Sequence, residues 1–308
     1  MNFSPKSIAI GAAAGFVAAL LSASASSPSL LSIVIMLLTP MPVLLAGLGW
    51  GPAAGVAAVA AASVTISVAG QPILALIHAL AITIPAAAMA HFASLGRPGQ
   101  DGDMVWFPLS GIIVRAAALI SAGFMAAGFL TGYGPALAND VANTIAAQVQ
   151  ASDPSVVISA EQRAALASTF ANLIPYALPA YWLMVLTGNF YVALHIARKS
   201  GLLRRDRDFW PSALRLPKYA LAALAVTLAL SFTSGGLGDL AAVPAGALAI
   251  AFCAVGLALL HGATFGKPWR GMALGATYAA ILLATIPLIP LFFAGLFVTA
   301  RQEPQSTN

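Results

Sequence analysis

Residues 30–70 read LLSIVIMLLTPMPVLLAGLGWGPAAGVAAVAAASVTISVAG, two apolar runs (30–48 and 52–70) joined by GLGWGP, with no charged residue anywhere. About 20 apolar residues cross the ~30 Å of a bilayer's hydrocarbon, so the stretch predicts two successive membrane-spanning helices. It also carries residues that weaken helices: Pro40, Pro42, Gly47, Gly49, Gly51 and Gly55. Neither proline donates a backbone N–H, and each crowds the preceding turn, so the second span is expected to kink or unwind there. Carbonyls freed at membrane depth need cover from protein or a water-filled cavity. The glycine turn then reverses the chain, with Trp50 at the interface. Such a break frames a small-molecule cavity or simply packs helices.

Composition extends the membrane reading to the whole chain. Of 308 residues, 60% are hydrophobic and 7% charged, against about 25% charged in soluble domains. The surface itself must be apolar. The single cysteine, Cys253, excludes a disulfide framework within the chain and reads as a small buried or lipid-facing residue. The net charge of +5 does not point to nucleic acid, because the basic residues flank apolar segments, as membrane orientation requires.

The expected fold class is all-α: a polytopic transmembrane bundle of eight or nine spans plus one outer amphipathic helix. The spans are 7–24, 30–48, 52–70, 72–94, 108–131, 165–197, 217–234, 240–262 and 271–299. The sixth and ninth are long, which predicts tilt, a kink or an interfacial extension. The whole of 1–308 reads as one integral membrane domain, with N-terminal helices to 131, an outer loop at 132–164, C-terminal helices at 165–299 and a flexible tail at 300–308. Lys6, the apolar run and SASAS at 22–26 resemble a signal peptide, although an uncleaved anchor is the expectation.

Basic residues set the orientation. With the N-terminus cytoplasmic, Lys6, Arg97, Arg198, Lys199, Arg204, Arg205, Arg207, Arg215, Lys218, Lys267 and Arg270 all fall inside, and only Arg163 and Arg301 outside. This predicts a bacterial inner membrane protein. The tail is outside with nine spans and inside with eight. In the outer loop, Val141, Ile145 and Val149 recur at helical spacing opposite Asn139, Asp140, Asn143 and Gln148, an interfacial amphipathic helix. Ser159 and Gln162 make a capping box for the next helix. The inner loop 199–218 carries Arg204, Arg205 and Arg207. These serve orientation, with Phe209 and Trp210 as an aromatic anchor, or bind anionic headgroups or a partner.

Gly11 and Gly15, continued by Ala14 and Ala18, put small residues on one face of the first span. Small residues four apart let a helix approach closely, either within the chain or from a partner subunit. Arg115 lies seven residues into the fifth span, roughly 10 Å deep, where a charge costs about 2.5–3.5 kcal/mol on insertion scales. It snorkels, or it meets buried carbonyls or a polar partner. Asn189 bonds across helices or touches a ligand. His91, His195 and His261 fall near cytoplasmic ends, but His78 lies in the outer half of its span. With Gln71, and with Tyr176, Tyr181 and Trp182 of the sixth span, it forms the best outward-facing polar and aromatic set for a small ligand, or a set of hydrogen-bonded packing residues.

Two resemblances follow from these motifs. P-x-P, an apolar run and then G-x-G-x-G-P-x-x-G (40–55) is similar to the early helices of substrate-binding components of energy-coupling-factor transporters. In those components a small-residue face resembling that of Gly11 and Gly15 contacts the coupling subunit. GLALLHGATFGKPWRGMALGATYAAILLATIPLIPLFFAGLF (256–297) resembles the end of the YybS-like family of uncharacterised bacterial membrane proteins. That family shows G-L-A-x-x-H, a long hydrophobic region and a closing G-L-F/G turn. Where it often carries an acidic residue after the last G-L, this chain has Phe297-Val298-Thr299. The resemblance implies capture of a small solute from outside, without an ATPase of its own.

No Asp or Glu falls within the confident spans, and no HExxH, Cys/His cluster or GxxxxGK[ST] occurs. The expectations are therefore no catalytic residue, no metal, no cofactor and no enzyme. The alternative function is a membrane scaffold that binds partners or anionic lipid through residues 198–218.

Overall fold

A computed structural model describes residues 4–24, 29–100, 102–131 and 135–301. The chain opens with α1 (Pro5–Ala23), capped by Ser4, whose hydroxyl accepts from the Ser7 N–H at 3.1 Å. α2 (Leu30–Leu37) and α3 (Pro40–Trp50) form one span, with Pro40 in the first turn of the second piece, where its missing N–H costs least. Gly51, at φ 86°, then reverses the chain directly into α4 (Pro52–Val68), a left-handed conformation that favours glycine. α5 (Pro72–His78), a π-helical turn (Ala79–Thr83) and α6 (Ile84–Ala93) make up the next span.

A short hairpin, β1 (Gly96–Pro98) with β2 (Met104–Trp106), pairs antiparallel with Arg97 opposite Val105. It leads into α7 (Leu109–Thr131). α8 (Pro135–Ser152) buries Ala138, Ala142 and Ala146 and packs on α9 (Ala160–Lys199). The face predicted from Val141, Ile145 and Val149 is thus centred on alanines and covered by another helix as well as by the interface. Ser159 and Gln162 form the predicted capping box on α9, with Gln162 N–H donating to Ser159 Oγ at 3.1 Å and Ser159 N–H to Gln162 Oε1 at 2.8 Å.

After α10 (Trp210–Ala213) and α11 (Tyr219–Ser231), α12 (Gly236–Ala263) runs through the centre, packed on α7, α9 and α11. α13 (Arg270–Ala284) buries no residue, whereas α14 (Leu288–Ala300) lies against α12. The shared core holds Val43, Leu44, Met89, Ile113, Ile120, Leu186, Phe190 and Phe252. Outward side chains such as Phe129, Leu283 and Phe293 are exposed, as expected where hydrocarbon is the solvent.

Among the described residues, six helices are long and apolar enough to cross a membrane, against the eight or nine expected: Pro5–Ala23, Leu30–Trp50, Pro72–Ala93, Leu109–Thr131, Ala160–Lys199 and Gly236–Ala263. The other three expected spans are also helical but differ in kind. Pro52–Val68 and Tyr219–Ser231 have only 17 and 13 residues. The expected span 271–299 is two helices bent by 117° at residues 285–287, where Thr285 takes a left-handed φ of 52° just before Pro287. The tail beyond Arg301, and hence its side of the membrane, lies outside the described residues.

The expectations for Gly11, Gly15, Ala14 and Ala18 resolve toward internal packing. A β-carbon on Gly11 would strike the Ala54 carbonyl oxygen, and one on Gly15 that of Ala58. Ala18 is fully buried and Ala14 packs on the core. α4 already occupies the face offered to a partner subunit, which corrects that reading.

Arg205 needs a second correction. It is 2% exposed, and its Nε and Nη2 bond both carboxylate oxygens of Asp208, at 2.7 and 2.8 Å. Its Nη1 donates to Phe107 O at 2.8 Å. It is therefore a structural clamp and is not available to headgroups, whereas Arg204 and Arg207 are exposed. The surrounding loop closes one end of the bundle. Leu202 covers Gly49, Pro211 meets Gly262, Phe209 stands edge-on to Phe265, and Trp106 Nε1 donates to Asp206 Oδ2 at 3.3 Å.

Candidate functional site

Two discontinuities in the spans generate the site. At the first, Pro40 and Pro42 cannot donate, and the chain tightens into short-range bonds: Leu38 N–H to Ile35 O (3.0 Å), Thr39 N–H to Met36 O (3.1 Å) and Met41 N–H to Leu38 O (2.9 Å). The Leu37 carbonyl, left without its usual partner four residues on, accepts instead from Asn189 Nδ2 at 2.8 Å. The same nitrogen donates to Val185 O at 2.9 Å. Asn189 Oδ1 and Thr39 Oγ1 have no partner, and these residues are 8% and 0% exposed.

The second discontinuity is the π-helical turn Ala79–Thr83. Its extra residue lengthens the ladder, so that Ile84 N–H reaches Ala79 O. Helical hydroxyls elsewhere, such as those of Ser63, Thr65 and Ser121, donate to the carbonyl four residues back. For Thr83 that carbonyl would be Ala79 O, within the π-helical turn, and the Thr83 hydroxyl has no partner. His78, at the start of the turn, is 4% exposed and neither ring nitrogen is bonded.

These breaks lie at one depth. The position of a Gly47 β-carbon is 2.6 Å from Ala90 Cβ, and α3 and α6 run the same way because α4 returns between them. Counting back about two turns from each contact sets Pro40 level with Thr83. The π-helical turn also packs on both α3 and α9. Thr39, Thr83 and Asn189 thus form a buried polar layer near mid-span, with His78 about a turn and a half away toward the end opposite the basic loop.

The predicted ligand set is only partly assembled. Asn189 reaches the second span, and Tyr181 and Trp182 meet edge to face at 5.4 Å. Gln71 is exposed beyond the start of α5, while His78 is enclosed. The Tyr176 backbone sits against Gly246 of α12. Among the described residues, no hydrogen bond or ring contact joins Gln71 or His78 to Tyr176, Tyr181 or Trp182. Thr39 and Thr83 are the members that sequence reading missed. Thr39 was signalled by its place directly before Pro40, but nothing in 79–83 announces a π-helical turn.

Arg115 snorkels. It is exposed, its Nη1 donates to Gly111 O at 3.2 Å, and its guanidinium stands 4.7 Å from the centre of the Phe107 ring and 5.4 Å from that of Phe92. Among the described residues, no group of three or more His, Cys, Asp or Glu is arranged to hold a metal.

A family model described as "Predicted membrane protein (DUF2232)" matches residues 16–244, more than half of the chain. No curated protein and no solved structure matches.

Proposed function

This chain belongs to the DUF2232 family of predicted membrane proteins, and on that premise we propose that it binds a small solute within the bilayer as a transport-related, non-catalytic chain without its own ATPase. The observation that carries the reading is the polar layer. Thr39, His78, Thr83 and Asn189 bury polar atoms without partners at two breaks in the spans. An unsatisfied buried donor or acceptor costs about 1–3 kcal/mol, so a ligand that pairs with these atoms recovers that cost on binding.

The chemistry of these groups sets the solute class. Two hydroxyls, an amide oxygen and an imidazole offer donors and acceptors but no fixed charge, and a buried ion without a counter-charge is expensive. The solute is an uncharged molecule with both donor and acceptor groups. The reading includes the bacterial inner membrane, with the N-terminus and the basic loop on the cytoplasmic side, and entry from the His78 side. Any coupling partner docks elsewhere than on the Gly11 face, which α4 covers.

The test is a thermal-stability screen of the detergent-purified chain against uncharged polar metabolites, with His78→Leu and Thr83→Val alongside. A compound that stabilises the parent but neither variant supports the reading. Absence of any stabilising compound, or equal stabilisation of all three proteins, defeats it.

A further inference from the structure

We propose that Arg115 and Arg97 hold the phosphate of an anionic phospholipid at the basic end of the bundle. The site is separate from the polar layer and does not rest on the solute-binding reading. Arg115 lies six residues into α7, about 9 Å from its start, and faces outward. A guanidinium has five N–H donors. This one spends a single donor on Gly111 O and has no carboxylate partner among the described residues. Phe107 and Phe92 flank its guanidinium, and the side chain is exposed. A planar fork on an aromatic support suits phosphate, and it is less strongly hydrated than an ammonium.

Beside it, the β-hairpin forms a groove of about 400 Å³ lined by Leu95, Arg97, Val105, Trp106, Phe107 and Pro108. The Phe107 ring that carries Arg115 is thus also a wall of the groove holding Arg97. Met104 and Val105 are about half exposed on the same hairpin, and Trp106 is an aromatic of the type that settles at headgroup level. A groove with a basic donor and apolar walls, beside exposed Met104 and Val105, fits a headgroup with its acyl chain better than a free anion.

The experiment is native mass spectrometry of the full detergent-solubilised chain, given phosphatidylglycerol, phosphatidylethanolamine or inorganic phosphate. The parent is expected to retain phosphatidylglycerol over phosphatidylethanolamine. Arg115→Gln and Arg97→Gln are each expected to lower that retention roughly fivefold, while Arg204→Gln and Arg207→Gln leave it unchanged. Equal retention of the two lipids, unchanged retention in Arg115→Gln, or an equal loss in the loop variants overturns the proposal. Displacement of the lipid by equimolar inorganic phosphate overturns the lipid as the source. Should Arg115→Gln fail to give a monodisperse protein, Arg115→Lys decides: reduced retention upholds the site and parental retention overturns it.

Discussion

The side-chain amide of Asn189 lies 2.8 Å from the carbonyl oxygen of Leu37, joining two helices at the point where one of them is interrupted. Pro40 and Pro42 break the second span and expose a carbonyl, and Asn189 covers it. Asn189→Leu is expected to destabilise the protein by about 1–2 kcal/mol. Hydrogen bonds between membrane helices average only about 0.6 kcal/mol, but here the Leu37 carbonyl is left buried and unpaired. Reversible unfolding in mixed micelles measures this, and parental stability in Asn189→Leu would deny the bond its structural role.

Contact between α1 and α4 gives the second prediction. Gly15→Leu places side-chain atoms where the Ala58 carbonyl oxygen lies, and overpacking of this kind costs about 1–3 kcal/mol. Ala13→Leu, on the exposed side of the same helix, is expected to be neutral within about 0.5 kcal/mol. A partner-binding face would behave in the opposite way, with Gly15→Leu folding normally and losing only a co-purifying subunit. Thermal unfolding and subunit content in one preparation distinguish the two.

Much of the architecture was legible because apolar run length is a strong signal. All nine expected spans are helical, and the Ser159–Gln162 cap is where its spacing put it. What escaped depends on contacts between distant residues. Whether 271–299 crosses or bends is decided by Thr285 turning left-handed, a conformation not encoded in hydropathy. Arg204, Arg205 and Arg207 look alike in sequence, yet only Arg205 meets the Ala93 and Phe107 carbonyls. The site was half legible. Asn189 and His78 stand out as polar residues in apolar runs, whereas Thr83 matters only because it sits in a π-helical turn where its hydroxyl finds no partner.

The Arg205 clamp predicts a sharp difference within the basic loop. Breaking a buried ion pair by removing one partner costs about 3–5 kcal/mol. Asp208 is 17% exposed at its side chain, which places Arg205→Ala near the lower limit, about 3 kcal/mol. Arg204→Ala and Arg207→Ala should stay within about 0.5 kcal/mol of the parent. Arg205→Lys should rescue poorly, because one ammonium cannot reproduce the fork that grips Asp208 and Phe107 O together. Equal stabilities for the three alanine variants, measured by thermal unfolding in detergent, would rule the clamp out.

Orientation gives the last prediction. α9 is a single 40-residue helix, roughly 60 Å long at 1.5 Å per residue, so its two ends are expected on opposite faces of a bilayer. Val157 lies just before its start, 73% exposed, and Arg207 lies beyond its end, also exposed. The native Cys253 is buried and its thiol faces Leu288 O at 3.4 Å, so it provides a silent background for thiol labelling. In cells whose outer membrane has been permeabilised, an impermeant maleimide is expected to label Val157→Cys and spare Arg207→Cys until the inner membrane is opened. The reason is the excess of Lys and Arg at the α9 C-terminal end, which positive-inside insertion retains in the cytoplasm. The reverse pattern would invert the topology and place the His78 side of the polar layer toward the cytoplasm, and labelling of both sites from outside would mean that α9 does not cross the membrane.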